Sequence, residues 1–86
     1  MNIYKISQEV NNEYDTYDSA IVIAKDEEEA RRISPALYTN ELYYDFSKEN
    51  WGNWAFKVEE VMVEYIGKAD KRFKESQVIL SSFNAG

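Results

Sequence analysis

Hydrophobic and polar residues alternate in the first segment of the chain. Over residues 2–8, Tyr4, Ile6 and Gln8 fall on one side and Ile3, Lys5 and Ser7 on the other. The spacing predicts a strand with one clearly apolar face, on the Tyr4/Ile6 side. Residues 19–24, Ser-Ala-Ile-Val-Ile-Ala, are apolar on both sides, and their branched residues favour strand. A strand with no polar face belongs in the interior of a sheet. The pattern then changes. Asp26 followed by Glu29 resembles a capping box, in which a carboxylate takes up the free N–H groups of a helix start. Glu27, Glu28 and Glu29 suit the positive end of the helix dipole, and Arg31 and Arg32 the negative end. Ala30, Ile33 and Leu37 supply the apolar stripe. Pro35 disfavours a helical Ser34 and ends the helix.

Residues 36–57 are less regular. Leu42 and Phe46, four apart, predict a short helix over 41–48, and Asn50-Trp51-Gly52-Asn53-Trp54 predicts a turn. Residues 55–66 read as one long strand, with Val61, Val63 and Tyr65 on one side and Phe56, Val58, Met62 and Ile66 on the other. Residues 67–75 read as a charged connection. A last strand covers 77–83, with Val78 and Leu80 on one side and Ile79 and Phe83 on the other. The expected fold class is α+β. It is a single small domain over 1–86, with about four strands in a mainly antiparallel sheet and one helix on one face, in ββαββ order. One short helix cannot cover such a sheet, so segment 36–57 or a second copy of the chain should cover the rest.

Composition narrows the function classes. The 86 residues contain no Cys and no His. Disulfides, thiolate nucleophiles, zinc knuckles, imidazole bases and Ser-His-Asp triads are therefore impossible within the chain. The expectation is a non-enzymatic protein without cofactor or metal. No run approaches the roughly 18 apolar residues of a membrane span. The start, Met1-Asn2-Ile3-Tyr4-Lys5, lacks a signal peptide's apolar core, so cytoplasmic residence is expected. Carboxylate pairs such as Asp15/Asp18 and Glu59/Glu60 do not have the spacing of a calcium-binding loop.

The net charge is −6, unevenly spread: residues 1–64 carry −8 and residues 65–86 carry +2. This disfavours direct nucleic-acid binding, which needs a cationic footprint. It suits a basic protein partner. Seven of the 13 aromatic residues lie between Tyr38 and Phe56, interleaved with Glu41, Asp45 and Glu49. Tyr and Trp are frequent binding anchors, so Tyr43, Tyr44, Trp51 and Trp54 with those carboxylates form one candidate partner-binding surface. The competing reading places the rings in a small core beneath the helix. The polar connection 9–18 forms the second candidate, with Tyr14, Asp15, Tyr17 and Asp18. Its carboxylates would imitate a run of phosphates.

Several segments carry a resemblance. Tyr14-Asp15-Thr16-Tyr17-Asp18-Ser19-Ala20 runs into an apolar strand and an acidic helix start. Val63-Glu64-Tyr65-Ile66-Gly67-Lys68-Ala69 follows, and the chain closes on Ser81-Ser82-Phe83-Asn84-Ala85-Gly86. This combination resembles small accessory proteins of bacteriophage and prophage genomes, over roughly half the chain. The resemblance implies action inside a bacterial cell. Many such proteins disable a host component, CRISPR and other defence proteins included. It implies no catalytic residue.

The leading expectation is thus a phage accessory protein that blocks a basic site on a host protein. One alternative is an oligomer that sequesters a nucleotide-like ligand, with Arg31, Arg32, Lys71 and Arg72 on its phosphates. Another is a self-assembling structural protein whose strand 2–8 pairs between copies.

Overall fold

A computed structural model describes residues 1–37, 41–47 and 52–84. Tyr38, Glu49 and Trp51, and the Ala85-Gly86 end of the quoted tail, lie outside the described residues.

Four strands form one antiparallel sheet: β1 (Asn2–Ser7), β2 (Thr16–Ala24), β3 (Met62–Lys68) and β4 (Gln77–Asn84), in spatial order β3-β1-β2-β4. With the helix α1 (Glu27–Arg32) between β2 and β3, the chain is the expected small α+β domain. β2 is interior, as its two apolar faces require. β1 is interior as well, paired to β2 on one side and β3 on the other. Residues 2–8 are therefore not an edge, and the expected pairing of that strand between copies is corrected. The edges are β3 and β4.

Register assigns the faces. Tyr4 opposes Val22, and Ile6 opposes Ala20 and Val63. Tyr4, Ile6, Ala20 and Val22 join Tyr17, Ala24, Ala30, Ile33, Trp54, Ala55 and Val61 in one core, against which Leu42, Tyr44, Phe46, Val63 and Val78 pack. The core thus lies between one sheet face, the helix and the segments that follow it. The other face carries Ile3, Lys5, Ser7, Ser19, Ile21 and Leu80.

The helix is short but well specified. The Glu29 N–H donates to Asp26 Oδ1 at 2.8 Å, so Asp26 is the N-cap as expected. Glu29 reaches back to the Lys25 N–H at 2.9 Å rather than to Asp26 itself. Ile33 is already extended, with Pro35 two residues on. Arg31 and Arg32 pair with Glu27 and Glu28 one turn earlier, at 3.4 and 3.0 Å. Arg31 also donates to the Val61 carbonyl, tying the helix to the start of β3.

Three local expectations are corrected. No helix forms over the described part of 41–48. Leu42, Tyr44 and Phe46 are partly buried while Glu41, Tyr43 and Asp45 are exposed, the period of an extended chain. Backbone bonds from Ser34 N–H to Leu42 and from Tyr44 N–H to Arg32, at 2.7 and 2.8 Å, fix this segment antiparallel to residues 32–34. The long strand 55–66 is also shorter than expected: Val58–Glu60 is a single 3₁₀ turn, and pairing begins at Met62. In β4, a bulge at Ile79 separates Val78, which packs on the core, from the exposed Leu80.

Glu29 joins three elements at the helix end of the sheet. It accepts from the Tyr43 hydroxyl and the Ser76 hydroxyl, each at 2.6 Å. Burial opposes its ionisation, but the bonds from Ser76, Tyr43 and the Lys25 backbone outweigh this and hold its carboxyl below the usual glutamate range. A lowered folded-state pKa gives stability that is complete above the unfolded value and lost as pH falls through the folded value. Glu29→Gln should therefore cost no more than about 1 kcal/mol at pH 7, because solvent screens this partly exposed carboxylate. In urea titrations the gap from wild type should close as pH falls below the usual glutamate range. A gap independent of pH would assign the cost to packing instead.

Candidate binding site at the loop end of the sheet

Antiparallel pairing brings the end of β1, the start of β2, the start of β3 and the end of β4 to one end of the sheet. The loop 8–15 and the turn 52–56 meet there. Buried polar residues hold them together. Gln8 lies on the Tyr4/Ile6 side of β1 and is buried. Its amide nitrogen donates to the Asn11 and Tyr17 carbonyls, both at 2.8 Å. Its amide oxygen accepts from the Val10 and Asn11 N–H groups at 3.0 and 2.8 Å. All four bonding positions of the amide are therefore used. Asn11, also buried, extends the network by donating to the Gly52 and Trp54 carbonyls, both at 3.1 Å. The Tyr17 N–H donates to the Asn53 carbonyl at 2.8 Å, and the Asp15 N–H to Asn84 at 2.7 Å.

Adjoining hollows open on this framework. One, of about 680 Å³, is lined by loop residues 10–16 together with Gly52, Asn53 and Phe56. The second, of about 480 Å³, is lined by Asp15, Tyr17, Leu37, Asn53, Ser81 and Phe83. Asp15 and Asn53 belong to both. Asp15 has φ 63°, a left-handed conformation that Asp and Asn tolerate better than most residues. Tyr14 is 76% exposed at the rim, and Phe56 and Phe83 are also exposed. The loop end thus offers carboxylates at Glu13 and Asp15 among aromatic surfaces and fixed backbone.

The two candidate surfaces fare differently. Of the 9–18 set, Tyr14, Asp15 and Asp18 are exposed. Tyr17 is not a surface anchor: it is only 6% exposed, and its ring lies 4.7 Å from that of Phe83. Of the 38–56 set, Trp54 is 0% exposed and sits in the core, its indole N–H without a hydrogen-bond partner among the described residues. Tyr44 packs on the core and edge-on against Phe46 at 4.8 Å. Glu41, Tyr43 and Asp45 are exposed, on the strip beside the helix. The expected single acidic and aromatic surface over 38–56 is thus divided, its described rings partly consumed by the core. Sequence reasoning weighed Phe56 and Phe83 but left them and Asn53 out of the candidate set, and it missed the organising pair Gln8 and Asn11. The sidedness of Gln8 was a usable signal, because a polar group on the Tyr4/Ile6 face must be buried and bonded.

Tyr44 also shapes this end from below. Burial and the neighbouring Asp45 hold its phenol above the usual range, partly offset by hydrogen bonds to the backbone of Asn53 and Trp54. A Cβ at Gly52 would run into the Tyr44 hydroxyl, while the ring carbon behind it lies 3.3 Å away. Gly52→Ala should destabilise the protein by about 1–3 kcal/mol through this overlap. Adding Tyr44→Phe should recover part of that loss, a non-additivity read from thermal or urea melts of the four forms. Strict additivity would show that the hydroxyl is not the obstacle.

No protein-family model matches the chain, and neither curated proteins nor solved structures include a match to it. Among the described residues, no three acidic side chains gather so as to hold a metal ion. No helix of the described residues is long and apolar enough to cross a membrane.

Proposed function

We propose that this chain is a non-enzymatic binding protein whose loop end docks onto a basic site of a protein partner and blocks it. The observation that carries the reading is the pair of adjoining hollows sharing Asp15 and Asn53, rimmed by the exposed Tyr14 and Phe56. An Arg or Lys of the partner entering there would meet the carboxylates of Glu13 and Asp15 and the faces of the rings. The Gln8–Asn11 network holds the loop in place beforehand, which lowers the ordering cost of binding. The net charge of −6 supplies long-range attraction to a cationic partner. The resemblance to phage accessory proteins supplies the setting of the same proposal: a bacterial cytoplasm, and a host protein such as a defence component.

Sequestering of a nucleotide-like ligand has weaker support. Two of the four cations it would use, Arg31 and Arg32, are engaged with Glu27 and Glu28.

The test is affinity capture from bacterial lysate at 50 mM and 500 mM salt, with immobilised wild type and Tyr14→Ala/Asp15→Asn. The expected result is one basic protein that wild type retains at low salt, releases at high salt, and that the double variant fails to retain. Equal retention by both forms would overturn the assignment of the site.

A further inference from the structure

We infer that the chain self-associates through the outer edge of β4, two copies pairing these strands antiparallel about a two-fold axis. This goes beyond the proposed partner site, which uses the loop end.

β4 is an edge strand, hydrogen-bonded to β2 on one side, and no described strand pairs with its other side. An exposed edge presents unpaired N–H and C=O groups, and proteins that stay monomeric blunt such edges with charge, proline or bulges. The opposite edge carries charge, at Glu64 and Lys68. β4 carries neither charge nor proline, and its bulge at Ile79 leaves Leu80 to Asn84 as a continuous paired run beyond it. Its sequence, Gln-Val-Ile-Leu-Ser-Ser-Phe-Asn, contains no charged residue and no proline, in a chain that is 30% charged. It also places large apolar groups in water: Ile79 is 44%, Leu80 63% and Phe83 46% exposed.

These features select a second copy as the occupant. An antiparallel pair of identical strands about a two-fold is self-complementary, since each contact occurs twice. Two β4 strands meet without any like-charge opposition, since the strand carries no charge. An eight-residue pair is about 26 Å long. With the side chains above and below the sheet it buries on the order of 500 Å² per copy, about 1,000 Å² in total, at the lower bound for a specific interface. The result is an eight-stranded sheet with one loop end pointing away at either extremity, hence a bivalent protein.

The test is sedimentation of purified wild type from 5 to 500 µM, with Leu80→Lys, Ser82→Lys and Met62→Lys in parallel. Leu80 and Ser82 lie on β4 and are exposed, and Met62 lies on the far edge. The expected result is a wild-type dimer across the upper range, at least tenfold weaker self-association in both β4 variants, and no change in Met62→Lys. Circular dichroism of each form separates weakened association from unfolding, and Ser82→Lys removes no apolar contact. A wild-type monomer at 500 µM would overturn the inference. So would equal weakening by Met62→Lys, which would point to packing through the sheet face.

Discussion

Trp54→Ala should leave the protein largely unfolded at 37 °C. Trp54 is the largest fully buried side chain, at the centre of the core that joins the sheet to the segments after the helix. Removing a buried Trp costs about 3–5 kcal/mol. A domain of this size has few kcal/mol of stability to lose. A urea melt or near-ultraviolet circular dichroism would show the effect directly. Tyr14→Ala serves as the comparison: its side chain is exposed, so it should change stability by less than about 0.5 kcal/mol. The contrast separates two aromatic residues that composition treats alike. If Trp54→Ala instead kept full stability, the core described above would be misplaced.

The second large effect is expected at Gln8. Gln8→Ala would leave the Val10 and Asn11 N–H groups and the Asn11 and Tyr17 carbonyls without their present partner, in a buried setting. The cost should be about 2–4 kcal/mol, set by unpaired buried polar groups rather than lost apolar contact. Gln8→Glu is the sharper probe. It keeps the size and the acceptor, but an ionised carboxylate cannot donate to two carbonyls. It should be destabilised at pH 7 and partly recover at acid pH, where protonation returns one donor. Hydrogen exchange should place the loosening in residues 9–16 and 52–55. Uniform loosening of the sheet would contradict the view that Gln8 organises the loop end.

Much of the fold was legible because local signals agreed. The alternation in β1, the doubly apolar β2 and the Asp26 cap each stated one structure, and each formed. The misreadings have a common cause: spacing that satisfies two periods. Leu42 and Phe46 fit four-residue helical spacing and also two-residue strand spacing through Tyr44. The contact that decides between them, the bridge between Ile33 and Tyr43, is tertiary. Residues 55–61 look continuous with β3 in sequence, yet Glu60 bonds the Phe56 and Lys57 N–H groups at 3.1 and 2.8 Å and closes a 3₁₀ turn. The interior place of β1 was not legible, since a half-apolar strand suits either position.

The candidate site was legible in part. Clustering in sequence suggested one aromatic surface over 38–56, but among its described rings a small domain takes Trp54 and much of Tyr44 into its core. Tyr14 and Asp15 stay outside because loop 8–15 is held by its own buried amides. Phe56, Asn53 and Phe83 join them only through the tertiary structure that brings residues 38 to 69 apart in sequence to one end.

In the proposed function, binding resides at the loop end and not in acidity at large. Captured partner is to be compared for wild type, Asp15→Asn/Glu13→Gln and Glu27→Gln/Glu28→Gln. The two variants lose the same charge, one pair at the loop end and one on the exposed first turn of the helix. The expected result is at least tenfold weaker capture for the loop-end pair and near wild-type capture for the helix pair, with all three equally folded. Equal weakening by both pairs would contradict it, because net charge alone would then explain the binding.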